Sequence, residues 1–145
     1  MTLADEASTM AIGAQIARVL QPGDVITLTG SLAAGKTTLV RGLIAGLGYE
    51  GEVPSPSFSI VQPYEQLDLP VWHVDLYRID DPSELEELGL DEIRDDGVLI
   101  IEWPEKAGTN RWPDSLALSL AAGEDGVRAL TVRVPQAWEG RWPIR

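Results

Sequence analysis

Nine residues, Gly30-Ser31-Leu32-Ala33-Ala34-Gly35-Lys36-Thr37-Thr38, restrict this chain more than any others. They match G-x-x-x-x-G-K-[ST] at every fixed position. Such a loop aims backbone N–H groups at phosphate oxygens. It works where a strand delivers the chain and a helix leaves with its positive dipole end toward the anion. Both flanks are present. Val25-Ile26-Thr27-Leu28-Thr29 is short and β-branched, the character of a buried strand. From Lys36 to Leu47, the residues Leu39, Val40, Leu43, Ile44 and Leu47 line one side of a helix, and Gly48 is its stop signal. The expectation is that Gly30 to Gly35 wrap a phosphate chain and Lys36 reaches its terminal groups. Thr37 would ligate magnesium, and Thr38 would cap the helix or touch the α-phosphate. Ala33 stands where glycine is common; a positive φ there would cost alanine about 1 kcal/mol.

The remaining chain supplies a scaffold for that loop. Asp5 to Leu20 repeats Ala7, Met10, Ala11, Ala14, Ala17 and Leu20 at helical spacing. Pro22-Gly23-Asp24 is a turn. Phe58–Val61 and Val71–Val74 read as a hairpin with a polar connection. Asp81-Pro82-Ser83-Glu84 opens a helix, with Asp81 as N-cap, Pro82 at the first position and Glu84 closing a capping box. Val98-Leu99-Ile100-Ile101 is a strand covered on both faces. Leu116–Leu120 and Ala129–Val134 form a last hairpin around Gly123 to Gly126. The tail after Pro135 has two tryptophans and no periodic pattern. Early alternation of strand and helix with late strand pairing predicts an α/β fold. Its core would be three-layered, as in P-loop NTPases, with a mainly parallel sheet and added antiparallel strands. The 145 residues suit one domain, 1–145.

A phosphate loop of this kind needs an acidic group at a neighbouring strand end to hold the metal or its water shell. Two strands end that way: Val71–Val74 runs into Asp75, and Val98–Ile101 runs into Glu102. Carboxyl ends of parallel strands face the nucleotide in such folds. Asp75 and Glu102 are therefore candidate catalytic and metal residues with Lys36 and Thr37; the bland alternative for each acid is a strand-end cap. Val53-Pro54-Ser55-Pro56-Ser57 offers hydroxyls on a proline-stiffened loop, so Ser57 is a candidate sensor of the terminal phosphate, against a plain rigid connection. Trp103 follows Glu102 and either lies near the nucleotide or only packs. His73 shares a strand face with Asp75 and reads as a packed, hydrogen-bonded residue rather than a base. No guanine-reading Asn-Lys-x-Asp is present, which favours ATP over GTP.

Charge narrows the partners. The formal net charge is −12, lysine occurs only at Lys36 and Lys106, and the arginines are scattered. Strong nucleic-acid binders cluster such residues to displace counterions, so a strong direct grip on RNA or DNA is not expected. Ten acidic residues crowd between Asp75 and Asp96, either a docking face or a solvated one. No stretch suits a bilayer span, the N-terminal segment lacks the basic start of a targeting peptide, and cysteine is absent. A reducing cytoplasm is the simplest home.

Four segments in this order resemble the TsaE (YjeE) family. They are Gly30 to Thr38, Ser55-Pro56-Ser57-Phe58, His73-Val74-Asp75-Leu76-Tyr77-Arg78 and Ile101-Glu102-Trp103-Pro104. The similarity covers nearly the whole chain. The resemblance implies ATP held with Mg2+, Lys36 as phosphate lysine and Thr37 as metal ligand. It implies Asp75 and Glu102 in the metal and water site, and Ser57 in place of a switch threonine. It further implies weak ATPase activity alone and work with two partners, TsaB and TsaD. Those partners transfer a threonylcarbamoyl group to a tRNA adenosine beside the anticodon. Alone, the chain is expected to be a monomer or to self-associate weakly. The family usually has G-D-L-G-A-G-K-T; here Ser31 replaces the aspartate and Ala33 the glycine, which bears on hydrolysis rate more than on fold.

Two other readings compete. A small-molecule P-loop kinase needs an acceptor site and usually a lid, and little chain is left for either. A non-hydrolysing ATP-dependent switch would need neither. Phosphate release with and without partners separates these readings.

Overall fold

The computed structural model describes residues 2–30, 35–51, 61–108, 111–124 and 127–142. Its seven strands are β1 (Thr2–Leu3), β2 (Val25–Gly30), β3 (Val61–Tyr64), β4 (Val71–Asp75), β5 (Val98–Glu102), β6 (Leu116–Ala122) and β7 (Arg128–Arg133). They form one sheet in the order β1-β7-β6-β2-β5-β4-β3. The centre, β6-β2-β5-β4, is parallel. Strand β3 pairs antiparallel with β4, β7 with β6 and β1 with β7. The α/β architecture with a parallel centre and antiparallel additions is the one expected.

Alternation along the central strands builds two cores. Ile26, Leu28, Val98, Ile100, Leu116 and Leu118 point to the face covered by helices α1 (Glu6–Ala17) and α2 (Lys36–Gly46). Val25, Leu99, Ile101 and Val74 point the other way, to Leu76, Ile79, Leu85, Leu90 and Trp112. Every residue of β5 is buried, as its four-residue apolar run required. Truncating Ile26 or Ile100 to alanine would cost about 2–5 kcal/mol. Helices α1 and α2 meet backbone to backbone: a Cβ on Gly13 would collide with the Leu39 carbonyl, and one on Gly42 with Met10. The small residues of the two helices are what permit that approach.

Several boundaries differ from the sequence expectation, each for a local reason. Asp5 caps α1 by accepting from Ser8 N, but the helix stops at Ala17, short of Leu20. The first strand of the middle hairpin is Val61–Tyr64, so Gln62-Pro63-Tyr64, assigned above to the connection, lies in the ladder. Pro63 is tolerated because β3 is an edge strand; residues 58–60 lie outside the described segments. Asp81 caps as expected, accepting from Ser83 N. The helix after it is a 3-10 segment, Pro82–Leu88, ended by Gly89 at φ 62° before a short helix α3 (Leu90–Arg94). Glu84 reaches back to Asp80 N rather than Asp81 N, shifting the capping box by one residue.

The tail without an assignment has a definite place. A 3-10 turn, Gln136–Trp138, puts Trp138, 1% exposed, into the core under α1 and α2. Arg141 then clamps Asp24, the residue before β2, with Nη1 and Nη2 each 2.9 Å from a carboxylate oxygen. Strand β1, for which the sequence carried no signal, is only two residues long and is held by β7.

Candidate functional site

The site lies where the parallel strands end. Glycine is required at both described corners of the loop: Gly30 closes β2 at φ 138° and Gly35 caps the start of α2 at φ 91°. Lys36, the first residue of α2, is 3% exposed. Its Nζ sits 3.5 Å from Glu102 Oε1 and 4.5 Å from the centre of the Trp103 ring. That separation from Glu102 is an ion pair and too long for a strong hydrogen bond. Among the described residues Nζ has no hydrogen-bond partner. A buried ammonium with three donors and one distant counter-charge is under-satisfied.

Glu102 ends β5, is 4% exposed, and is gripped from its other side. His73 Nε2 is 2.7 Å from Glu102 Oε2, and His73 is 0% exposed. Burial pushes the Glu102 carboxyl up; the hydrogen bond and charge of His73 and the charge of Lys36 outweigh it, leaving it below its ordinary value. Asp75, half-buried on the neighbouring strand, pairs in register with Glu102. Its Oδ1 accepts from Tyr77 N at 2.9 Å. Burial, with the Glu102 charge adding, holds the Asp75 carboxyl above its ordinary value, despite offsets from Tyr77 N, His73 and Lys36. Two adjacent acids moved in opposite directions are a pattern of sites that handle charge.

Trp103 is strained. Its φ of 59° makes it the one non-glycine residue with positive φ among those described. That conformation costs roughly 1–2 kcal/mol in an L-residue. It turns the indole over Lys36 Nζ and against Tyr77, ring centres 5.0 Å apart. Tyr77 is itself 54% exposed, so an aromatic pair stands at the mouth of the site.

Comparisons with known proteins identify the family. The family described as threonylcarbamoyl adenosine biosynthesis protein TsaE matches residues 3–130. The chain belongs to the TsaE family. It is 40% identical to a tRNA threonylcarbamoyladenosine biosynthesis protein TsaE of Haemophilus influenzae, over 70% of this chain and 68% of that protein. With the protein of the same name from Streptomyces coelicolor it shares 41% identity, over 83% of this chain and 86% of the relative. In three dimensions it is similar to Bacillus subtilis YdiB, with TM-score 0.81 and 32% identity, covering 97% of this chain and 88% of that one. The TsaE resemblance read from the four motifs is thus borne out.

Of the residues singled out in sequence, Gly30, Gly35, Lys36, Thr37, Thr38, Asp75, Glu102 and Trp103 all lie at this end of the sheet, Thr37 and Thr38 half-buried in the first turn of α2. Ser31, Leu32, Ala33, Ala34 and Ser57 lie outside the described residues. Among the described residues no three His, Cys, Asp or Glu side chains gather as a metal cage. The metal-binding expectation rests instead on two carboxylates and a hydroxyl. His73 is packed and hydrogen-bonded as read, but its partner is Glu102 itself, which sequence reasoning did not foresee. The sequence places positions 73 and 75 on one face, but their pairing with Ile100 and Glu102 comes from the register of the next strand. No helix among the described residues is long and apolar enough to cross a membrane.

Proposed function

We propose that this TsaE-family chain binds ATP with Mg2+ at the Lys36 end of α2 and hydrolyses it in the tRNA threonylcarbamoyladenosine modification machinery. One observation carries the reading: Lys36 is buried at the start of a helix, beside a buried glutamate, with no hydrogen-bond partner for its ammonium among the described residues. A terminal phosphate supplies the missing acceptors, and the helix N-terminus favours its charge. Lys36 then exchanges a distant carboxylate for a close phosphate. Thr37, Asp75 and Glu102 would hold the magnesium ion, which when bound neutralises charge on the phosphate oxygens. His73 keeps Glu102 ionised and fixed in one rotamer, so the carboxylate needs little rearrangement to orient a metal ligand or attacking water. Trp103 shields Lys36 from solvent.

The partners in this reading are TsaB and TsaD, with this chain working on their assembly rather than on tRNA, and the cytoplasm is its setting. The acidic charge supports that division. Asp80, Asp81, Glu84, Glu86, Glu87, Asp91, Glu92, Asp95 and Asp96 all face solvent, and they would repel a phosphate backbone.

The test is magnesium-dependent phosphate release from ATP by the purified chain, alone and with TsaB and TsaD. Slow release alone and stimulation by the partners is the expected result. ATP binding without release in either condition would replace hydrolysis by the non-hydrolysing switch, a second reading favoured by Ser31 and Ala33 in the loop. Unimpaired ATP binding by Lys36→Ala would overturn the site.

A further inference from the structure

The two faces of the sheet are covered unevenly. Ile26 and Leu28 of β2 face α1 and α2, so Thr27 and Thr29 alternate to the other side. Ala117 pairs with Thr27, and Arg133 with Ala117, which puts all of them on that second face. Toward β7 it is open to solvent: Ser119, Thr131 and Arg133 are exposed. Over β2 the chain beyond β5 folds back, and Pro104, Gly108 and Trp112 form a wall opposite the strands. Between wall and sheet lies a cavity of about 350 Å³, large enough for a small metabolite.

Its polar groups are few and unused. Thr27, 6% exposed, and Ser115, 2% exposed, line it, and neither hydroxyl has a hydrogen-bond partner among the described residues. A hydroxyl both donates and accepts, so a group that does the same suits them. Arg133 and Glu105 stand exposed at the rim, and neither has an ion-pair partner among the described residues. Arg111 also lines the cavity but is held by Asp91 at 3.0 Å. Glu105 would repel a phosphate or a plain carboxylate, and Arg133 would repel a plain amine. One unpaired charge of each sign suits a ligand that carries both.

We propose that this cavity binds a small polar amino acid, its carboxylate held by Arg133, its ammonium by Glu105 and its side-chain amide or hydroxyl by Thr27 and Ser115. Each contact fills a group that the fold leaves unused. A guanidinium matches a carboxylate in a planar fork, and the Trp112 ring, Pro104 and Ala117 cover the aliphatic carbons. The inference does not rest on ATP binding at Lys36. The cavity lies across the sheet from α1 and α2 and shares no residue with that site.

Calorimetry with L-asparagine tests it, beside L-leucine, which has its shape without the amide, and succinamate, which lacks the ammonium. Wild type, Arg133→Gln and Glu105→Gln are compared; both side chains are exposed, so the variants should fold. Wild type is expected to bind L-asparagine saturably, and each variant about tenfold more weakly, the effect of losing one charge-assisted contact. Succinamate should bind wild type about tenfold more weakly than L-asparagine and lose nothing further in Glu105→Gln. L-leucine should also bind more weakly. In NMR spectra of tryptophan-labelled wild type, L-asparagine should move the one indole resonance that Trp112→Phe removes; the calorimetry stands without that variant if it does not fold. No binding of L-asparagine to wild type, or unchanged affinity in either charge variant, would overturn the proposal. Succinamate or L-leucine binding as tightly as L-asparagine would overturn it too.

Discussion

Two acid–base pairs, one part-buried and one buried, sit at opposite ends of β2, and they are built differently. Asp24, just before the strand, is satisfied. It accepts two 2.9 Å hydrogen bonds from Arg141 and a 2.7 Å bond from Gln21 N. Arg141 also donates to the carbonyls of Val19 and Ala137 and lies 4.2 Å over the Trp138 ring. Lys36, just after the strand and its loop, meets Glu102 at 3.5 Å, and its Nζ has no hydrogen-bond partner among the described residues. A buried pair contributes to stability when its remaining donors and acceptors are filled, and stores unused interaction when they are not. The first pair locks the tail to the fold. The second, in the function proposed, waits for a phosphate.

The contrast is broken most severely at the locked end. Trp138→Ala empties a large core position and is expected to cost about 3–5 kcal/mol, seen as a drop in the urea midpoint. Asp24→Ala leaves Arg141 without its counter-charge, and about 3 kcal/mol is expected; Asp24→Ala and Arg141→Ala combined should cost less than the sum of the two, in a double-mutant cycle. At the poised end, Lys36→Ala should barely change stability yet weaken Mg·ATP binding about ten- to a hundredfold, the worth of charge-assisted hydrogen bonds to phosphate. Titration calorimetry reads that difference.

The smallest effects sharpen the comparison within the site, and their signs oppose. Glu102 has a lowered carboxyl. Its contribution to stability is present above its ordinary value near 4.5 and is lost as pH falls through the lower folded value. Asp75 has a raised carboxyl. It imposes a cost that grows as pH rises above 3.8 and vanishes on acidification. Without nucleotide, Glu102→Gln should lower Tm at neutral pH and Asp75→Asn should raise it. Both differences should shrink in melts run toward pH 4. Shifts of the same sign would show that the two acids do not divide as described.

How much of this was legible in sequence follows from the range of each interaction. The strand, loop and helix around Lys36 were legible because a local pattern carries them: β-branched residues, two glycines and a helical apolar stripe. Asp75 and Glu102 were legible as ends of apolar strands. The bond between His73 and Glu102 spans 29 positions and depends on the register of β4 against β5, which no single segment encodes. The tail was illegible for the same reason: Trp138 and Arg141 have no periodicity, and Asp24 lies 117 positions from Arg141. The 3-10 geometry after Asp81 was missed because cap and proline signal a helix start without fixing its type, and Gly89 ends it early.

The central claim is that the Lys36 pair is held for a ligand and the Asp24 pair for the fold. Thermal unfolding of wild type and Lys36→Ala, each with and without Mg·ATP, tests it most directly. With ATP at about a hundred times its dissociation constant, wild type should gain about 2.7 kcal/mol, a rise of about 5–10 °C for a chain of this size. Lys36→Ala should melt with unliganded wild type and gain little. A variant that melts far below wild type without ligand, or that rises as much with ATP, would contradict the account.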